Sequence, residues 1–168
     1  MAAINTRVVR RSNALLGYRY GPQFRYDEAI LTGAGPVGYM KAVAVASGTF
    51  LMMIASAIAP VRNLLKSVLP AQGEGPSPET IEKGSFVIEL LALHPTDATK
   101  NLRARVTADR DPGYGATSKM LGESAVCLAL DELDVSGGCL TPSAAMGMTL
   151  IDRLVEKAGM TFEILDRP

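Results

Sequence analysis

Nineteen consecutive residues, Ala42 to Pro60 (AVAVASGTFLMMIASAIAP), carry no ionisable side chain. As a helix rising 1.5 Å per residue the run is about 28 Å long, close to the ~30 Å hydrocarbon thickness of a bilayer. It is apolar on every face, and such a helix is either enclosed by protein or in contact with lipid. Interspersed Ala, Gly48, Ser47 and Ser56 dilute its hydropathy, so the residues alone leave both environments open. In the lipid reading Phe50, Leu51, Met52, Met53 and Ile54 are the membrane contacts. Arg62 and Lys66, which follow at once, suit anionic headgroups on a cytoplasmic side.

Charge around the run is one-sided. The 168-residue chain balances 17 basic against 17 acidic side chains, which excludes a generally basic nucleic-acid binder. Through Gly73 eight Lys and Arg face two acids, a net +6; from Glu74 onward nine face fifteen, a net −6. A basic segment, 1–73, with a strand and the apolar helix at about 36–60, is therefore expected ahead of a segment 74–168. With 48% apolar and 20% charged residues, neither reads as disordered.

Two cysteines, Cys127 and Cys139, are too few for a disulfide framework, and the chain opens on no cleavable signal, so a reduced, cytoplasmic protein is expected. The lone His94 precedes Pro95 in a turn, and no metal site is expected.

Residues 1–26 hold five arginines and no acid, with Val8, Arg11 and Leu15 near one helical face, which predicts a basic amphipathic helix ending near Gly17. Phe24 to Leu31 is aromatic and β-branched enough to predict a strand. Gly33-Ala34-Gly35-Pro36-Val37-Gly38 then matches the dinucleotide fingerprint G-x-G-x-x-G. A true fingerprint needs a second strand after its helix and an acid about twenty residues on. No Asp or Glu occurs between Glu28 and Glu74, so the glycines predict a turn into a helix, and no cofactor is expected to bind this chain alone.

Pro70 to Pro78 is Pro- and Gly-rich and predicts a linker, with Ser77-Pro78 capping a short helix through Lys83. Ser85 to Leu93 and Leu102 to Ala108 predict a hairpin, with Glu89 across from Arg103 or Arg105. Asp111 to Gly115 predicts a turn, Thr117 the cap of a helix to about Leu133, and Thr141-Pro142 the start of another ending at Gly159. Thr161 to Leu165 predicts a last strand. The fold class is α+β: a small, mostly antiparallel sheet packed with helices, plus one long apolar helix.

Several motifs in this order resemble the C-terminal half of saccharopine dehydrogenase-like oxidoreductases. They are Asp111-Pro112-Gly113-Tyr114-Gly115-Ala116-Thr117, Lys119-Met120-Leu121-Gly122-Glu123-Ser124, Gly138-Cys139-Leu140-Thr141-Pro142 and Gly159-Met160-Thr161-Phe162-Glu163. Phe24-Arg25-Tyr26 and Gly73-Glu74-Gly75-Pro76-Ser77 belong to the same resemblance, which covers nearly the whole chain. It implies NAD(P)-dependent chemistry in lipid or glycolipid metabolism, as in trans-acting enoyl reductases, with the dinucleotide held by an N-terminal Rossmann domain missing from this chain. That domain is the expected partner, a lipid or membrane surface the second, and the chain is expected to be inactive alone.

Within the resemblance the Asp111 turn is the candidate substrate pocket, with Asp111, Tyr114, Thr117 and Lys119 as its residues and Tyr114 or Lys119 as donor to a reacting oxygen. No catalytic acid–base pair is assigned. A non-catalytic, membrane-peripheral structural or protein-interaction module is the alternative, its basic arm and apolar helix on anionic lipid.

Overall fold

The computed structural model describes residues 2–70 and 73–165. In order the elements are α1 (Ala2–Leu15), α2 (Gly35–Ala57), α3 (Ala59–Val68), α4 (Pro78–Lys83), β1 (Phe86–Ala92), β2 (Leu102–Ala108), α5 (Gly115–Leu130), α6 (Pro142–Ala158) and β3 (Met160–Leu165). They form two units, Met1–Tyr26 with Pro76–Pro168, and Asp27–Gly75.

The first unit is α+β. β1 and β2 make an antiparallel hairpin, and β3 pairs antiparallel with the far edge of β2, giving the order β1-β2-β3. Because side chains alternate along strands, the register gathers Phe86, Ile88, Leu90, Ala104, Val106, Ala108, Met160, Phe162 and Ile164 on one wholly apolar face. On the other face Glu89 bridges Arg103 at 2.9 Å and Arg105 at 3.2 Å, so both predicted partners are taken. Thr107 and Thr161 face each other there at 2.7 Å.

The core occupies one end of the apolar face. Ala108 and Met160 pack with Ala116 and Cys127 of α5 and with Met146, Leu150, Leu154 and Ala158 of α6. Leu150, Leu154 and Ala158 recur every fourth position and so share one helical face, while Met146 joins them from before Gly147, where α6 kinks (φ 50, ψ −130). Gly159 ends α6 in the left-handed conformation, and a Cβ there would lie 2.6 Å from the Asp109 carboxyl carbon. At its opposite end the apolar face is uncovered within the unit: Ile88 is 53% exposed, Leu90 44% and Ile164 75%.

The basic α1 folds into this unit. Arg11 Nη2 donates to the Cys139 carbonyl at 2.7 Å, and the buried Ser12 hydroxyl lies 2.8 Å from that of Thr141. Asn13, also buried, donates to the Gly21 carbonyl and accepts from the Tyr20 N–H, each at 2.9 Å. The charge change at Gly73 therefore marks the end of the Asp27–Gly75 unit, while residues 1–26 fold with 76–168.

The expected strand from Phe24 to Leu31 does not form; these residues carry no regular structure. Aromatic and β-branched side chains fit a pleated surface but do not supply a partner strand. Phe24 instead packs its ring 5.3 Å from Tyr20, in the turn that Asn13 organises.

The second unit is a pair of helices. Gly35 and Pro36 start α2, and the predicted single helix to Pro60 breaks at Ile58 (φ −89, ψ 113). Pro60 has no N–H for the carbonyl of Ser56 and in a continuous helix its ring would clash with it; across the break Arg62 Nη1 donates to that carbonyl at 3.3 Å. In α3, Val61, Leu64 and Leu65 lie on one side and Arg62, Asn63, Lys66 and Ser67 on the other. Of the predicted linker, Ala71 and Gln72 lie outside the described residues.

Candidate functional site

The Asp111 turn is built against α4. The Asp111 N–H donates to the Ile81 carbonyl at 3.1 Å and Arg110 Nη1 to that of Glu82 at 2.8 Å, satisfying the last carbonyls of a six-residue helix. Ser77 caps the other end through the Thr80 N–H at 3.2 Å, as its sequence predicts. Gly84 lets the backbones meet, since a Cβ there would fall 2.5 Å from the Asp111 Cα. Gly115 abuts the Ile81 carbonyl, 3.1 Å from an added Cβ.

Within the turn the Asp111 carboxylate accepts the Tyr114 N–H at 2.7 Å, and its carbonyl accepts the Ala116 N–H at 2.8 Å. The side chain nearest to a cap of α5 is therefore that of Asp111. Thr117, the expected cap, sits inside the helix and donates its hydroxyl to the Pro112 carbonyl at 2.6 Å. Lys119 reaches Asp109 at 3.1 Å and the Ala158 carbonyl at 3.3 Å, where its charge complements the C-terminus of α6.

Three of the four candidate residues thus spend their side-chain groups inside the protein. Tyr114 differs: it is 57% exposed, and its phenol has no hydrogen bond among the described residues. The turn holds this hydroxyl outward on a braced backbone. It can donate to, or accept from, a group brought to it from outside.

Two open depressions lie elsewhere, one along α2 beside Gly48, Met52 and Ser56, the other beside Arg10, Gln23 and Arg25. Gly33 to Gly38 forms the entry to α2, and a Cβ on Gly38 would meet the Gly33 carbonyl oxygen at 2.1 Å, so these glycines serve close packing of the turn on itself. Among the described residues no strand precedes α2, and α3 follows it, so the geometry does not fit a dinucleotide's strand-turn-helix. No three His, Cys, Asp or Glu among the described residues form a metal-binding group.

Spacing along the chain missed a second charged cluster. Arg153 of α6 donates to Glu123 at 3.0 Å and to both Asp131 oxygens at 3.1 and 3.3 Å, clamping α5 and its exit to α6. These residues lie 30 and 22 positions apart, beyond any local pattern. Beside them Cys127 is fully buried; burial, and then Asp131, push its thiol up, which keeps it protonated and unreactive.

No family model and no solved structure matches the chain. Its sequence is 44% identical over 161 residues to Rv2449c of Mycobacterium tuberculosis H37Rv, provisionally named a trans-acting enoyl reductase, covering 92% of this chain and 38% of that protein. The chain is a homologue of part of a trans-acting enoyl reductase. It is also 38% identical over 159 residues to the trans-acting enoyl reductase of Mycobacterium bovis BCG, and 40% identical over 157 residues to that of Mycobacterium ulcerans. Less than two fifths of each trans-acting enoyl reductase is spanned, 37% and 36% in the last two.

Proposed function

We propose that this chain is the substrate-side, C-terminal part of an enoyl reductase of the saccharopine dehydrogenase-like class, acting in lipid or glycolipid metabolism. The observation that carries the reading is the similarity of 92% of the chain to 38% of a trans-acting enoyl reductase. Enoyl reduction adds a hydride and a proton across a carbon–carbon double bond. The hydride donor, a nicotinamide dinucleotide, is assigned to the part of the enzyme that the relatives have beyond this similarity, because Gly33 to Gly38 does not fit it.

In this reading the Asp111 turn lines the substrate side. Tyr114 donates a hydrogen bond to the oxygen conjugated with the double bond, and Asp111, Thr117 and Lys119 hold the turn in shape. The uncovered end of the apolar sheet face, Ile88, Leu90 and Ile164, receives the rest of the enzyme. The stretch of each relative beyond this similarity is long enough to be that occupant.

A chimera tests this: the matching segment of the M. bovis enzyme is replaced by this chain, and reduction of an enoyl thioester is followed by NADPH oxidation. Activity within about tenfold of the parent is expected. A chimera that is folded and monodisperse but inactive would overturn the reading and favour the non-catalytic module.

A further inference from the structure

The Asp27–Gly75 unit makes a separate case, independent of the reductase reading. α2 is 23 residues long, has a mean hydropathy of 1.5 over its most apolar 18 residues, and none of that window is buried. Phe50, Leu51, Met52 and Met53 are 50 to 66% exposed. Its Ser and Thr hydroxyls already donate within the helix, Ser47 to the Val43 carbonyl at 2.7 Å, Thr49 to Val45 at 2.8 Å and Ser56 to Met53 at 2.8 Å, and the one other hydroxyl, that of Tyr39, lies in its first turns. None of these three hydroxyls has a donor left for water. At the C-terminal end, where Pro60 frees the Ser56 carbonyl, Arg62 supplies the donor, as an unhydrated helix end requires.

Connectivity decides how such a helix can meet lipid. Residues 1–26 and 76–168 form one unit, held by Arg11 on Cys139 and Ser12 on Thr141, so the chain leaves that unit before α2 and rejoins it after α3. If α2 crossed a bilayer, the chain would have to cross back between Ala59 and Gly75. α3 has ten residues, about 15 Å of helix, half the hydrocarbon thickness. Of the rest of the return, the described residues Leu69, Pro70 and Gly73 to Gly75 carry no helix or strand, and unpaired backbone in lipid is not viable.

We infer that α2 and α3 form a one-sided membrane anchor: α2 embeds in a single leaflet and α3 lies in that leaflet's headgroup layer, entering and leaving by the same face. The occupant is a bilayer with anionic headgroups. Lys41, Arg62 and Lys66 are the charges along the two helices, and no acid occurs between Glu28 and Glu74. The polar side of α3 carries Arg62 and Lys66 outward while Leu64 and Leu65 face the acyl chains.

The test uses the full chain in flotation with vesicles of phosphatidylcholine alone or with 30% phosphatidylglycerol. Flotation with the anionic vesicles is expected, with affinity falling about fivefold for each charge removed in Arg62→Gln and Lys66→Gln. Met52→Glu with Met53→Glu should abolish it. Cysteines placed by Gln23→Cys and Ser77→Cys, in a Cys139→Ser background, should both react with an impermeant maleimide from outside the vesicles.

Protein left at the bottom of the gradient, whether monodisperse or aggregated, overturns the anchor. Protection of one of the two cysteines and labelling of the other overturns its one-sidedness. Loss of flotation when the rest of the reductase is co-expressed shows that protein, not lipid, covers α2. The chimera's NADPH oxidation, measured in detergent, is unaffected by any of these results, so the two readings fail separately.

Discussion

Gly84 presses so closely on Asp111 that a Cβ on the glycine would fall 2.5 Å from both the Cα and the backbone nitrogen of the aspartate. The contact is backbone on backbone, so no side chain can turn aside. Gly84→Ala should therefore destabilise the α+β unit by about 2 kcal/mol, seen as a lower Tm. Gly122, inside α5 with nothing within 4 Å of an added Cβ, is the control. Gly122→Ala should raise stability by about 0.5–1 kcal/mol through helix propensity. Equal effects at both positions would remove the close approach as the cause.

Tyr114 and Lys119 should separate by what they change. Tyr114→Phe removes an exposed, unbonded hydroxyl, so the unfolding free energy should stay within about 0.5 kcal/mol while turnover of the chimera falls about a hundredfold. Lys119→Met breaks the contacts with Asp109 and the Ala158 carbonyl and should cost about 1 kcal/mol, measured by urea unfolding. If Tyr114→Phe leaves turnover intact, the turn is a scaffold only.

Arg153 stands between two carboxylates from different parts of the chain, with about a quarter of its side chain exposed. Arg153→Met leaves Glu123 and Asp131 facing each other's charge without a donor. A loss of about 2–3 kcal/mol is expected in denaturant unfolding, and adding Glu123→Gln and Asp131→Asn should recover part of it.

Acid should act through the open side of the sheet. Hydrogen bonds from Arg103 and then Arg105 hold the Glu89 carboxyl below the ordinary glutamate value. The native state therefore binds this proton less readily than the unfolded chain. The stability it contributes is complete above the ordinary glutamate value and is lost as pH falls through the lowered one. Across that interval the Tm of Glu89→Gln should fall less steeply than that of the parent, and parallel curves would exclude the linkage.

The two thiols should differ in rate. Cys139 is exposed and Cys127 fully buried with its thiol pushed up, so a disulfide reagent at neutral pH should label one equivalent quickly and the second only on unfolding. Two fast equivalents would place Cys127 outside the core.

Where a local rule governs, the residues announce the structure. Ser77-Pro78, Thr141-Pro142 and Gly159 mark helix ends within a residue, and the alternation from Leu102 to Ala108 fixes which face is apolar. Phe24 to Leu31 fails because a strand is a property of a pair, and no residue there says whether a partner edge exists. Pro60 shows the converse: its break in the apolar helix follows from a missing N–H that hydropathy does not register. The candidate turn was visible as a motif, but that Lys119 spends its charge on Ala158, 39 positions away, is a fact of tertiary packing.

The pairing of Ser12 with Thr141 has a consequence in time. The partners are 129 residues apart, and at ~5–20 residues per second a ribosome needs about 10 s to make the second after the first. α2 and α3 are synthesised within that interval, before α1 can find its place. For those seconds the most apolar stretch of the chain is available while the unit of residues 1–26 and 76–168 is still incomplete.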